Sequence, residues 1–447
     1  MIAHIIRHKI VKGNLHALLG NMAQAIFGFM TFLLLVRHLD QNVFGKWVIF
    51  ITVASLLDML RLGFTGTAAI RLISTLSEDE RPKAIGTSYQ LSLISTGIIA
   101  VTLYLLYFGM HSFQPDGKYL FILLFYPVLS LANLAFHQAN MVAQGILNFS
   151  RSTILKVING AGTLGGVFIY LQLSVIPVLT DIILICILAN AITSGVAMCY
   201  KWDGFIFIQK STRALRAQIM QFGKYATAGY IGSNLLKSAD TFILTLVPFL
   251  GPEAVAIYSI PLKFVEIVEI PLRSFSSAAF PQLTDVLRKN STRFFQLLLS
   301  YTFFTTLMLV PVVLILLMFP VFFLQLMGGP EYVNAIGTQQ TILYVICIYI
   351  ILLPSDRYTG VALFAMNKPK QNFFKIMIML AANVIFDLLA VLIFHSLIYI
   401  AVATLLFTAI GITIGWGMII QCKTIDKTVD FTRYIVLIRK PVNGNSA

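Results

Sequence analysis

Residues 258–280 read YSIPLKFVEIVEIPLRSFSSAAF. The stretch has the length and apolar content of a membrane-spanning helix, which needs about 20 such residues. Yet it carries Lys263, Glu266, Glu269 and Arg273. At about 100° per residue these four fall on one stripe of a helix. Each charge at the centre of a lipid-facing helix would cost roughly 2.5–3.5 kcal/mol, so a stripe of four has to face protein or water. Pro261 and Pro271 lie within the stretch and Pro281 just beyond it. A proline removes a backbone hydrogen bond and bends a helix, and in a membrane the freed groups need local partners. A bent span with four charges on one face predicts a membrane protein with a polar interior.

The rest of the chain agrees. It is 58% hydrophobic and 11% charged, with a mean hydropathy of +0.86, whereas a soluble domain carries about 25% charge. Apolar runs between polar breaks give twelve expected spans. Six lie at 15–36, 44–69, 86–109, 119–143, 154–173 and 178–200. Six more lie at 223–248, 254–280, 295–320, 338–364, 372–394 and 397–421. Continuous runs exclude an outer-membrane barrel, whose strands alternate. The expected fold is therefore an all-α polytopic membrane protein with two six-helix bundles. The first occupies 1–200 and the second 223–421, with a basic linker at 201–222 and a basic tail at 422–447.

The positive-inside rule sets the orientation. With the N-terminus in the cytoplasm, and Lys46, Lys156, Lys224 and Lys375 at span ends counted with the adjoining loops, 24 of the 32 Lys and Arg fall in cytoplasmic segments, three in outer loops and five deep inside spans. Both termini are thus expected in the cytoplasm. The net charge of +14 is then largely topological and gives no reason to expect nucleic acid as a partner. His4, Arg7, His8, Lys9 and Lys12 precede the first apolar run, which is too long for a signal-peptide core and is expected to be retained. Residues 2–12 suit either a short interfacial helix or a tail. Cys186, Cys199, Cys347 and Cys422 include no CxxC pair and read as small packing residues, with neither a disulfide nor a metal site expected.

The two sets of six spans suggest an internal repeat, and repeats are common in transporters. At an offset of 211 residues Leu39 aligns with Leu250, Trp47 with Tyr258 and Asp58 with Glu269. Each half crosses an even number of times, so the halves would be related by a pseudo-two-fold along the membrane normal.

Several polar groups fall inside the expected spans. Asp58 and Arg61 stand three apart, as do Lys237 and Asp240. Each is either a self-neutralised structural pair or a cavity-lining pair that exchanges partners. Asp356 and Arg357 follow Pro354, and Asp387 shares a span with Asn383. A lone span aspartate is either hydrogen-bonded structure or a proton or sodium site. Asn133, His137, Asn140 and Gln144 share a helical face. Interhelical hydrogen bonds and contacts to sugar hydroxyls explain that face equally well. Arg61, Lys237, Lys263, Arg273 and Arg357 stand against Asp58, Asp240, Glu266, Glu269, Asp356 and Asp387. Such a nearly balanced interior fits a substrate with a charged head together with a coupling cation. No GxxxxGK[ST], HExxH or CxxC motif occurs, so no catalytic residues, metal or cofactor are expected. The sequons at Asn148 and Asn290 fall on the cytoplasmic side of this topology.

The chain resembles the polysaccharide-unit flippases, the Wzx-type transporters of O-antigen and capsule repeat units. Their superfamily also holds the multidrug exporters and the lipid II flippases. The resemblance covers nearly the whole chain. In the first half it rests on Arg37–His38–Leu39, Phe44–Gly45, Asp58, Leu62–Gly63 and Arg71. In the second it rests on Lys237–Ser238–Ala239–Asp240, Tyr258–Ser259, Lys263 and Pro281. It implies two six-helix bundles around a central cavity that opens alternately to each side of a bacterial inner membrane. The implied cargo is an undecaprenyl-pyrophosphate-linked oligosaccharide, moved to the outer leaflet by a proton or sodium gradient. Implied partners are that lipid-linked oligosaccharide, membrane lipids and other glycan-assembly proteins. On this reading Arg61, Lys237, Lys263, Arg273 and Arg357 are head-group candidates. Asp58, Asp240, Glu266, Glu269 and Asp387 are ion-coupling candidates, and Asn133, His137, Asn140 and Gln144 are candidate sugar contacts. Lipid II flippases usually carry two further helices, which are not found here.

Three rivals stay open. A drug or cation exporter on the same fold would want an aromatic, acidic pocket. A membrane glycan polymerase or transferase would need a sizeable catalytic loop, and the outer loops here are short. A scaffold without transport would leave the buried charges unexplained.

Overall fold

Lipid offers a peptide group no hydrogen-bond partner, so a spanning segment must satisfy its own backbone, and helices do this. The computed structural model describes residues 2–115, 117–247, 250–289 and 291–421, and helices dominate them with no strand among the described residues. They comprise α1 (Ile2–His38), α2 (Gln41–Thr75), α3 (Arg81–Phe113), α4 (Leu120–Ala132), α5 (Leu134–Gly145), α6 (Phe149–Leu173) and α7 (Leu179–Cys199). A 3-10 turn at Phe205–Lys210 leads to α8 (Arg213–Leu246) and α9 (Gly251–Lys289). Then follow α10 (Ser291–Met318), the short α11 (Pro320–Gly328), a second 3-10 turn at Pro330–Ala335, α12 (Ile336–Ala365), α13 (Pro369–Leu392) and α14 (Leu397–Ile420).

Nine of these described helices are long and apolar enough to cross a membrane. The α4 and α5 pair, bent by 46° at a short break, makes a tenth. The helices α8 and α9, at 34 and 39 residues, exceed the length of a span and carry six of the intramembrane charges, Lys237, Asp240, Lys263, Glu266, Glu269 and Arg273. The protein is a multi-pass membrane protein of about twelve spans in two bundles. Cys422 and the basic tail lie outside the described residues.

Contacts divide the chain into one unit ending at Leu235 and another starting at Leu236, within α8. In the first unit α1 lies along α6, α2 packs on α3 and α5, and α6 packs on α7. Its buried groups include Ala69, Ile73, Ala84, Ile85, Met141 and Val142. In the second unit α12 is central, packed against α9, α10 and α14, while α13 lies on α14. Small residues let these helices approach closely, as is usual where lipid removes the hydrophobic drive for association. A Cβ added at Gly411 would lie 2.3 Å from Met379 Sδ, and one at Gly415 would lie 2.7 Å from Thr359 Oγ1.

Three differences from the sequence reading concern the fold. Span 4 is not one helix but two, broken at Asn133. The stretch α9 is assigned as one continuous helix despite its three internal prolines. The basic segment after α7 is not a loose tether either. Its 3-10 turn packs on α3, with the rings of Tyr89 and Phe205 5.3 Å apart edge to face. Gly204 sits at φ 79°, a left-handed conformation that suits glycine. Burial raises the Asp203 carboxyl above its usual range, against the lowering pull of the Phe205 and Gly204 N–H groups and the Tyr89 hydroxyl.

At Gly86 a Cβ would lie 1.8 Å from the Phe207 carbonyl oxygen, a backbone atom that cannot rotate away. Gly86→Ala is therefore expected to cost about 1–3 kcal/mol by overpacking. Thermal unfolding of the purified protein in detergent checks this, and an unchanged midpoint would show that the turn is not clamped there.

Candidate functional site

In the first unit the charges close on one another. On α2, Asp58 and Arg61 are one turn apart, and Arg61 Nη2 donates to Asp58 Oδ1 at 2.7 Å. Arg61 is 0% exposed. Its guanidinium also donates to Asn133 Oδ1 at 2.6 Å, to Thr96 Oγ1 at 3.2 Å and to the Ser130 carbonyl. Asp58 further accepts from the Tyr126 hydroxyl at 3.0 Å and from Asn133 Nδ2 at 3.3 Å. The amide of Asn133 thus bonds both members of the ion pair.

That amide stands at the break between α4 and α5, where helical carbonyls lose their usual donors. Arg61 takes the Ser130 carbonyl, while Ser194 of α7 donates to the Ala132 carbonyl at 2.5 Å and accepts from Phe136 N at 3.1 Å. The ion pair therefore does structural work, holding the bend. His137 Nε2 lies 3.8 Å from Asp58 Oδ2. Asn140 turns elsewhere, accepting from Ser152 Oγ of α6 at 2.7 Å. The amide face read from the sequence splits by partner within α5: Asn133 at its start and His137 adjoin the ion pair, whereas Asn140 ties α5 to α6. Gln144 is half-buried in α5.

In the second unit the charges converge. Glu269 is the buried centre, its side chain 7% exposed. Lys237 Nζ of α8 donates to Glu269 Oε2 at 2.5 Å, and Arg273 Nη2 of α9 donates to the same oxygen at 2.7 Å. Arg357 Nη2 of α12 lies 3.7 Å from Oε1. Three cations thus face one carboxylate, and their side chains remain 48%, 59% and 33% exposed respectively. Lys263 and Glu266 stand apart from this cluster, paired with each other at 2.5 Å.

The expected pairing of Lys237 with Asp240 does not form. Lys237 reaches across to α9, and Asp240 turns to other helices. Asp240 Oδ2 accepts from Tyr258 of α9 at 2.9 Å and from Thr404 of α14 at 3.1 Å, while Oδ1 accepts from Asn383 of α13 at 3.2 Å. Asp387 is fully buried, and neither of its oxygens meets a donor among the described residues. Its polar partner is the carboxyl of Asp240. A carboxylate only accepts, so these two groups bond only if one holds a proton.

One interior cation was missed in the sequence. Lys375 opens the expected span 372–394 and counts with Lys368 and Lys370 as cytoplasmic, yet it is 2% exposed on α13. It pairs with Asp356 Oδ1 at 2.6 Å and donates to Thr359 Oγ1 at 2.8 Å. Asp356 is thereby engaged on one side of α12 while the adjacent Arg357 faces Glu269. The available signal was its spacing: Lys375, Met379, Asn383 and Asp387 recur every four residues along one face.

The family model for "Polysaccharide biosynthesis protein" matches residues 10–287 of the 447. The chain belongs to this polysaccharide biosynthesis family. Among solved structures it is similar to an inward-facing multidrug resistance MATE family transporter of the MOP superfamily, at 15% identity and a TM-score of 0.71, covering 89% of this chain and 94% of that one. It is also similar to the lipid II flippase MurJ in an inward closed conformation, at 14% identity and a TM-score of 0.71, covering 93% and 88%. A third likeness is a MOP superfamily transporter from Pyrococcus furiosus, whose description notes a reversed polarity of its binding pocket. It has 14% identity and a TM-score of 0.63, covering 92% and 95%. At these identities the likenesses show the fold, a two-bundle membrane architecture seen in transporters and a flippase. A search of curated proteins finds no match to this chain.

Removing one partner of a buried ion pair costs about 3–5 kcal/mol. Arg61→Met is accordingly expected to lose folded protein, because it strands Asp58 and the Ser130 carbonyl, whereas Arg61→Met with Asp58→Asn recovers part of the loss. Size-exclusion profiles and unfolding midpoints of the two variants provide the check.

Proposed function

We propose that this polysaccharide biosynthesis protein is a flippase. It carries an undecaprenyl-pyrophosphate-linked oligosaccharide from the cytoplasmic to the outer leaflet of a bacterial inner membrane by alternating access, with both termini cytoplasmic. The observation that carries this reading is the cluster at Glu269. Three cations against one carboxylate leave an excess of two positive charges, which complements a pyrophosphate. Arginine matches phosphate oxygens with paired donors, and lysine adds a point charge. As the phosphates arrive, Lys237, Arg273 and Arg357 exchange Glu269 for phosphate oxygens. The carboxylate keeps the cations neutralised when no cargo is bound. The hydrated head needs such a path because hydrocarbon is about 30 Å thick, while the polyprenyl tail stays in lipid throughout.

The Asp240–Asp387 pair supports coupling to a proton or sodium ion. Two acids lie there with no cationic side chain bonded to them among the described residues, and Tyr258, Thr404 and Asn383 supply neutral oxygen and nitrogen groups. A proton or a small oxygen-seeking cation satisfies both carboxyls at once. Asp387→Asn is expected to leave the fold intact and to abolish the gradient dependence of transport. Proteoliposomes given a proton or a sodium gradient separately would measure this, and full gradient-driven flipping by the variant would sink the coupling role.

The cargo reading is tested on cells lacking the protein, by extracting undecaprenyl-linked intermediates and assigning their leaflet. A completed repeat unit on the cytoplasmic leaflet is expected, relieved by the intact chain but not by Arg273→Ala or Lys237→Ala. Unchanged lipid-linked pools with intact surface glycan would move the assignment to drug or cation export.

A further inference from the structure

We propose that His137 and Asp58 form a proton-binding latch on the break between α4 and α5. The inference stands on the first unit alone and does not rest on the cargo.

Three observations combine. First, Asp58 Oδ2 is where two groups meet. Asn133 Nδ2 donates to it at 3.3 Å, and His137 Nε2 stands 3.8 Å away. Second, His137 is more open than the carboxylate it faces, whose side chain is 22% exposed. The His137 side chain is 35% exposed, whereas Arg61 is wholly buried. A proton can therefore reach the ring from outside the cluster. Third, Asn133 is the residue at the break, and its amide is held on one side by Arg61 and on the other by Asp58.

The charged and titratable groups facing His137 are few. From α2 come Asp58 and Arg61, already joined at 2.7 Å, and from α4 comes the Tyr126 hydroxyl bonded to Asp58. The groups that α3 and α7 bring to this cluster are Thr96 and Ser194, which do not titrate. From α5 itself the Phe136 ring lies beside the imidazole at 5.3 Å.

With a neutral ring, Asp58 and Arg61 balance each other and the Asn133 amide bridges them. When His137 takes a proton, its Nε2–H becomes a charged donor aimed at Asp58 Oδ2. The imidazolium brings a full positive charge to the carboxylate where the Asn133 amide brings only a dipole, so it competes for that oxygen and displaces the longer, 3.3 Å amide bond. One proton is taken up, one amide bond is exchanged for an imidazolium–carboxylate bond, and one restraint on the break is released while those from Arg61 and Ser194 stay. Histidine suits this because its charge changes within the physiological range. The assignment moves His137 from a sugar contact to a proton site.

The test follows side-chain resonances of the full chain, labelled with 13C and 15N, in lipid nanodiscs across about pH 5 to 8. The His137 ring signal is identified by its loss in His137→Gln. The expected result is that this ring titrates in that range and that the Asn133 side-chain NH2 resonance moves with the same midpoint. In His137→Gln the Asn133 resonance should become insensitive to pH. A ring that keeps one charge state throughout overturns the proposal. So does an Asn133 amide that stays fixed while the ring titrates, or one that moves equally in His137→Gln. No transport is measured, so a failed latch and a failed flippase reading are told apart.

Discussion

A charge held inside hydrocarbon must be answered by another group within a few ångströms, and the two units answer this demand in opposite ways. In the first, a single arginine is enclosed. Its guanidinium spends its donors on Asp58, Asn133, Thr96 and the Ser130 carbonyl. The same contacts stabilise a bend that would otherwise leave helix-end carbonyls unpaired in lipid. In the second, three half-exposed cations share one buried glutamate. The enclosed cluster shapes the bundle, and the shared one keeps charge available.

Asp58 and Glu269, aligned by the suspected sequence repeat, therefore sit in different chemistry. Asp58 is neutralised along its own helix by Arg61, while Glu269 draws cations from α8, α9 and α12. If the halves began alike, the second gained the surplus of positive charge. Lys375 matters to that surplus: by engaging Asp356 it keeps an acid from the neighbouring Arg357. The two acids with no cationic side chain bonded to them among the described residues, Asp240 and Asp387, sit together in the same unit.

Much of the fold was legible because apolar runs of span length are strong, local signals. Charged groups that belong inside were visible for the same reason, since a charge stands out in an apolar run. Their partners were not. Spacing alone joined Lys237 to Asp240, but each side chain found a better answer on another helix, and no sequence rule gives interhelical distance. Lys375 was hidden because it stands at the start of its span, close to Lys368 and Lys370, and so counts with the loop. The break at Asn133 carries neither proline nor glycine at the break itself. It is stabilised by Arg61 and Ser194, which lie far away in the chain. His137, Asn140 and Gln144 do lie on one helix, α5, but spacing could not show that His137 meets Asp58 while Asn140 meets Ser152.

Lys237 and Asp240 lie three residues apart on α8, about 4.5 Å along its axis. Each belongs to a cluster of opposite sign, so neutralising Asp240 raises the positive potential at Lys237, Arg273 and Arg357, and neutralising those cations deepens the negative potential at Asp240. Free energies linked in this way are reciprocal. An anion strengthens the hold on a cation by the same factor as the cation strengthens the hold on the anion. On the proposed function, a bundle wired like this would favour its empty and doubly loaded forms over either half-loaded one. Suppressing futile passage of one species without the other would then need no separate gate, because it would follow from the spacing of two side chains on a single helical turn.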